Sequence, residues 1–125
     1  MPAKKIDFNT VRTLALDLPG VEESTVYGSP ALKVHGDLLA CIPTHKSAEP
    51  GTLAVRIEME RRAEMVATSP EIYYLTEHYR NYPVVLVRMA HIGHDALQDL
   101  LKMSWRFVTA RPSKPATRKR ARPAE

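Results

Sequence analysis

The stretch ALKVHGDLLACI (residues 31–42) carries the decision about fold. Two strand-like runs, Ala31 to Val34 and Asp37 to Ile42, flank His35-Gly36, and a two-residue link ending in glycine suits a tight antiparallel hairpin. The register this predicts sets Leu32 against Leu39 on one face and Lys33 against Leu38 on the other. Upstream, Thr25-Val26-Tyr27 reads as a further strand broken at Gly28-Ser29-Pro30. Downstream, after a polar loop from Pro43 to Gly51, Leu53, Val55 and Ile57 alternate with Ala54, Arg56 and Glu58, the pattern of a half-buried strand. Val84 to Met89 is a strongly apolar strand, and Ile72 to Leu75 is a brief strand or turn.

Helices bracket these strands. Asp7 is placed to cap a first helix, with Ile6 and Val11 spaced as a hydrophobic staple. Val11, Leu14, Ala15 and Leu18 share one face, and Leu18-Pro19-Gly20 ends the helix. A short helix is expected over residues 60–68. A last one runs from about Asp95 to Val108, its buried stripe being Leu97, Leu100, Leu101, Trp105 and Val108. The expected fold class is therefore α+β: an antiparallel sheet packed against N- and C-terminal helices.

The chain has 125 residues, enough for one domain. Its formal charge of +4 is unevenly placed. Residues 111–125 hold six of the 18 basic side chains and one acid, Glu125, whereas residues 1–110 hold twelve bases and thirteen acids. The division expected is a single domain over residues 1–110 and a disordered, basic, Pro-rich tail over 111–125. One cysteine, Cys41, excludes an intrachain disulfide and suits a reducing compartment. With no signal-like apolar stretch at the N-terminus and no run of 18 apolar residues, the expectation is a soluble, cytoplasmic protein with no membrane partner.

Two blocks carry a resemblance. Leu18-Pro-Gly-Val-Glu-Glu-Ser, followed by Tyr27-Gly-Ser-Pro-Ala-Leu-Lys-Val34, resembles the opening of the MmcQ/YjbR family of small bacterial proteins. Tyr74-Leu-Thr-Glu-His-Tyr-Arg-Asn-Tyr-Pro-Val-Val-Leu-Val-Arg88 is similar to that family's second signature, and the helix from Leu97 to Trp105 to its closing helix. Leu32, Asn81 and Val84 depart from the family pattern, where an aromatic, a glycine and a tryptophan are common. The resemblance covers roughly residues 6–108. It implies a YjbR/CyaY-like fold of the double-wing kind, a type commonly labelled DNA-binding.

Three groups of residues fit such a role. Lys33, Arg56 and Arg88 sit at the solvent-facing parity of their strands and, if those strands are neighbours, line one face with cations for phosphates. The plain alternative is a face that these side chains simply keep wet. In the segment from His78 to Pro83, Tyr79 and Tyr82 interleave with Arg80, the mix that stacks bases and clamps phosphates. The alternative there is that the tyrosines pack under the sheet edge and Arg80 ties down a carbonyl or carboxylate. The tail cations Arg118, Lys119, Arg120 and Arg122 attract any polyanion without sequence preference, or only solubilise the chain.

Other chemistry finds little support. His91 and His94 are the only close histidine pair and span a strand exit and a helix start, so no metal is expected. Asp7, Asp17, Glu22 and Glu23 make too thin an acidic ridge for the iron binding that a frataxin-like fold suggests. Cys41 lies mid-strand among apolar residues, and no phosphate loop, dinucleotide fingerprint or nucleophile elbow occurs, so no cofactor is expected. The reading is a non-enzymatic DNA-binding domain, monomeric or weakly self-associating, that meets the nucleic-acid backbone without strong sequence specificity. The other reading is a small-molecule or protein-binding module with a pocket around His78, Tyr79 and Arg80; an enzyme at that pocket comes third.

Overall fold

A computed structural model describes residues 6–110. The expected tail, with Arg118, Lys119, Arg120 and Arg122, lies outside the described residues. The elements run α1 (Phe8–Leu16), β1 (Val21–Val26), β2 (Ser29–Val34), β3 (Asp37–Cys41), β4 (Thr52–Arg56), α2 (Met59–Thr68), β5 (Tyr73–Tyr74), a single 3-10 turn (Glu77–Tyr79), β6 (Val84–Arg88) and α3 (His94–Ala110). The six strands form one sheet in the order β1-β2-β3-β4-β6-β5, every pair antiparallel. The α+β class expected from the sequence is the one observed.

The first helix starts as its sequence dictates. The Asp7 carboxylate accepts the Thr10 backbone N–H at 3.1 Å, and Ile6 and Val11 both pack into the core. At its far end the Leu18-Pro19-Gly20 turn is tied to α3, because the Trp105 indole donates to the Pro19 carbonyl at 2.8 Å. Trp105 is thereby half-buried, and the fully buried position in that turn of α3 belongs to Ser104.

The hairpin at His35-Gly36 forms as read, with both residues at positive φ (52° and 85°). A second hairpin of the same kind joins β1 to β2 through Tyr27-Gly28 (φ 52° and 80°), so β2 begins at Ser29 rather than Ala31. Between β2 and β3, Lys33 opposes Leu38 as expected, but Leu32 opposes Ala40 and not Leu39. A bulge causes the difference: β3 carries one extra residue, which a count of alternation across a two-residue turn does not reveal. The Leu39 carbonyl accepts the Ser104 hydroxyl at 3.3 Å, so the bulge is satisfied from α3.

The two faces of the sheet differ. Leu32, Val34, Leu53, Val55, Val85 and Val87 point to one side, where Val11 and Ala15 of α1 and Leu97, Leu100, Leu101 and Val108 of α3 complete a dry core. Met65 and Val66 of α2 pack against the same core. On the other side a smaller cluster forms from Ala31, Cys41, Ala54 and Leu86, with Leu38, Val26, Tyr74 and Tyr79 around it. Strand β4 is therefore buried from Thr52 to Val55, not half-buried. The segments 43–50 and 75–83 fold over this second side, a tertiary contact that strand periodicity does not encode. Among the described residues no helix is long and apolar enough to cross a membrane.

Candidate functional site

The site is built on that second side, and one buried arginine fixes its wall. Arg62 shares the inward phase of Met65 and Val66 on α2, so its guanidinium is carried under the segment from Tyr79 to Val84. One terminal nitrogen donates to the carbonyls of Tyr82 (2.7 Å), Val84 (3.3 Å) and Tyr79 (3.5 Å), and the other to that of Arg80 (2.9 Å). The residue is 9% exposed. Desolvation, with a smaller push from the Arg80 charge, lowers its pKa from the usual arginine value. The four carbonyls supply the acceptors a buried guanidinium needs. A segment that reads as a polar loop is thus held in one conformation.

A second segment, from Pro43 to Pro50, joins it and supplies Pro43, Thr44, His45 and Lys46 to the same wall. The Glu49 backbone N–H donates to the Tyr74 hydroxyl at 2.8 Å, and that hydroxyl lies 2.6 Å from the Thr52 hydroxyl. The Ser47 backbone N–H donates to His45 Nδ1 at 3.1 Å, so the neutral ring carries its proton on Nε2. The Ser47 hydroxyl also lies 2.8 Å from Nδ1 and 2.9 Å from the Thr76 hydroxyl, bridging the two segments. The His45 ring stacks on His78, centroids 3.6 Å apart and planes within 10°. Tyr79 meets His78 edge-on at 4.7 Å, and Tyr82 lies tilted at 6.3 Å from it. Desolvation first, then the His78 and Lys46 charges, holds His45 below the usual histidine range.

Between these joined segments and Val26 and Tyr27 of the first hairpin lies a cleft of about 1080 Å³. Its floor is apolar, with Ala54, Cys41, Leu38 and Val84; His45, His78, Tyr79, Tyr82 and Tyr27 are its rings, and Lys46 and Arg56 its cations. Among the described residues no aspartate or glutamate lines it. Burial pushes the Cys41 thiol up to about 11, so the sulfur is an uncharged part of the floor. Burial also raises the pKa of Tyr79, partly offset by its hydrogen bond to the His45 backbone. Tyr27 stands at the rim, 91% exposed, on a hairpin position with φ 52° where asparagine or glycine is usual. A ring there costs about 1 kcal/mol of backbone strain and is nine-tenths exposed.

The cations read from the sequence divide. Lys33, Arg56 and Arg88 do share the second face, but not one row. Through the strand registers, Lys33 opposes Leu38 of β3 and Arg56 opposes Val84 of β6, so β3 lies between the strands that carry these two cations. Arg88 opposes Thr52 at the other end of β4. It is held there by both Glu49 carboxylate oxygens (3.0 and 2.9 Å) and by the Pro70 carbonyl (2.9 Å), and lies 4.3 Å over the Tyr74 ring. Arg56 lines the cleft and also lies 5.9 Å over the Phe107 ring. Arg80 turns away and pairs with Glu77 at 3.2 Å, so the pocket read around His78, Tyr79 and Arg80 includes the first two and not the third. Tyr79 is half-buried against the second cluster, whereas Tyr82 stays 55% exposed.

Four contributors went unread. Arg62 was legible in principle, as a charged residue in the helical phase of Met65 and Val66. Tyr27 was legible as an aromatic in front of a turn glycine. His45 and Lys46 sit in an aperiodic loop and carry no such signal.

Comparison with known proteins agrees with this architecture. The Deinococcus radiodurans protein DR2400, a DUF419 domain protein, superposes with a TM-score of 0.71 at 20% identity, covering 92% of this chain and 88% of that one. The uncharacterized proteins Rv2570 of Mycobacterium tuberculosis and Mb2600 of Mycobacterium bovis are each 33% identical over 66 residues. That match takes in 50% of this chain, and the chain spans about half (51%) of each relative's length. The YjbR family model matches residues 16–107, from the end of α1 nearly to the end of α3. With a match across the whole sheet, both signature blocks and the cleft between them, the chain belongs to the YjbR family.

Proposed function

We propose that this protein is a non-catalytic binding module whose site is the cleft on the second face of the sheet, and that it takes an organic anion with an apolar body. The observation that carries this is the lining: an apolar floor, two cations and, among the described residues, no carboxylate around about 1080 Å³. A concave, mostly apolar space with a few convergent polar groups is the usual form of a small-ligand site. The inert Cys41 thiol in the floor supports binding over nucleophilic chemistry. The test is Ala54→Leu, which fills the floor from β4. Titrating a panel of alkyl and aryl carboxylates by calorimetry is expected to show binding to the wild type and at least tenfold weaker binding to the variant. Equal affinity for both chains would sink the proposal.

Nucleic-acid binding is the second reading, favoured by the nearness of Tyr27, Tyr82 and His78 to Lys46 and Arg56 around one cleft. Rings that stack bases beside cations that hold phosphates suit an unpaired strand. A concave cleft does not fit the convex side of a duplex. Full-length protein and a variant with Arg118, Lys119, Arg120 and Arg122 changed to Ser should be compared on single- and double-stranded DNA against salt. Retained single-strand binding by the variant supports this reading; loss of all binding assigns the affinity to the tail.

A further inference from the structure

We infer that the ligand of the cleft is a planar aromatic acid, and that Tyr27 is the ring that covers it. This rests on the cleft reading above and narrows it to one chemical class. Four large apolar side chains are exposed among the described residues: Leu16, Tyr27, Met59 and Tyr82. The two aromatic ones both line the cleft. Tyr82 rests beside His78, whereas Tyr27 is not placed by packing. Tyr27 is 91% exposed and sits at a positive φ that other residues adopt with less strain, so folding gives no reason for a ring at this tip.

The facing wall is aromatic and fixed. His45 and His78 are stacked at 3.6 Å, Tyr79 closes against His78 edge-on, and Tyr82 stands beside them. Arg62 holds the carbonyls of Tyr79, Arg80 and Tyr82, so the wall is set before anything binds. Offset stacking between flat rings rewards such a pre-formed surface more than it rewards a flexible chain, which loses its own rotational freedom on binding. Lys46 and Arg56, with no acid among the described residues of the lining, set the ligand's charge as negative.

The probes are 2-naphthoate, the neutral 2-naphthamide and the aliphatic decanoate, titrated into full-length protein by calorimetry at pH 7. The expected result is that 2-naphthoate binds at least tenfold more tightly than either comparison compound. Its resonances should also shift upfield in proton NMR as ring stacking requires. Tyr27→Asn, which keeps the turn, and Tyr82→Ala should each weaken 2-naphthoate about fivefold and decanoate by less. If decanoate binds as well as 2-naphthoate, and Ala54→Leu abolishes both, the aromatic class is overturned and the cleft reading stands. If 2-naphthamide equals 2-naphthoate, the acid is overturned. If no probe binds, or if Ala54→Leu leaves binding intact, both the aromatic assignment and the cleft reading are overturned.

Discussion

The two faces of this sheet are made by the same strands and are covered in different ways. Across β2, β3, β4 and β6, the row Leu32-Ala40-Val55-Val85 faces the helices, and the neighbouring row Ala31-Cys41-Ala54-Leu86 faces the other side, where Cys41 and Ala54 line the cleft. Both rows are buried, but the second is mostly small residues, and the cleft occupies the volume their side chains leave. On the helix side, branched side chains interdigitate with α1 and α3 and leave no room for a ligand. On the cleft side, cover comes from two loop segments held by hydrogen bonds, and packing is incomplete. A face is thus closed or left open by side-chain volume as much as by polarity.

Leu53 and Ala54, adjacent on β4, put that contrast to the hardest test. Leu53→Ala on the closed face should lower the unfolding free energy by about 3 kcal/mol, read by urea denaturation. Ala54→Leu on the open face should change it by less than about 1 kcal/mol, because the added atoms enter the cleft. A loss of similar size at both positions would mean that the faces are equally packed. Arg62→Met should cost about 2 kcal/mol, since four backbone carbonyls lose a charged donor. Its amide exchange should accelerate across residues 79–84 more than in α3; uniform acceleration would count against a local clamp.

The rim gives a smaller effect of opposite sign. Tyr27→Asn should stabilise the chain by about 0.5 kcal/mol, because asparagine tolerates φ 52° better than tyrosine. A destabilised variant would show that the ring packs for the fold. The smallest effect concerns acid. His45 is held below its ordinary value of 6.5, so the folded chain binds fewer protons there than the unfolded one. This contribution is intact above pH 6.5 and is lost as pH falls below it toward the folded value. The wild-type melting temperature should therefore fall more between pH 7.5 and 5.5 than that of His45→Phe. Equal shifts would remove His45 as the cause.

Local signals carried most of the fold. Asp7, the Leu18-Pro19-Gly20 stop, the His35-Gly36 turn and the stripe of α3 each act within a few residues, and each formed where expected. The bulge at Leu39 is different: it is answered by Ser104, 65 positions away, and nothing near either residue announces it. The site was legible only in its second half. His78, Tyr79 and Tyr82 stood out as a dense polar and aromatic run, but their partners His45 and Lys46 come from another loop, and their support from a helix. Parity placed Lys33, Arg56 and Arg88 on one face correctly. It could not show that β4 and β6 run opposite ways, which sends Arg56 and Arg88 to opposite ends.

The strand order ends in two very unequal borders. At one, β5 offers just two residues, Tyr73 and Tyr74, too short a template for another chain to pair with. At the other, β1 offers six, with one hydrogen-bonding edge beyond its pairing to β2. Glu22 and Glu23 stand exposed along it, and Glu23 lies 3.9 Å from Arg12 of α1. Two copies meeting edge to edge through β1 would bring four carboxylates together, which opposes both sheet extension and aggregation. Neutralising this pair, as Glu22→Gln with Glu23→Gln does, removes charge that would oppose one molecule's sheet continuing into the next.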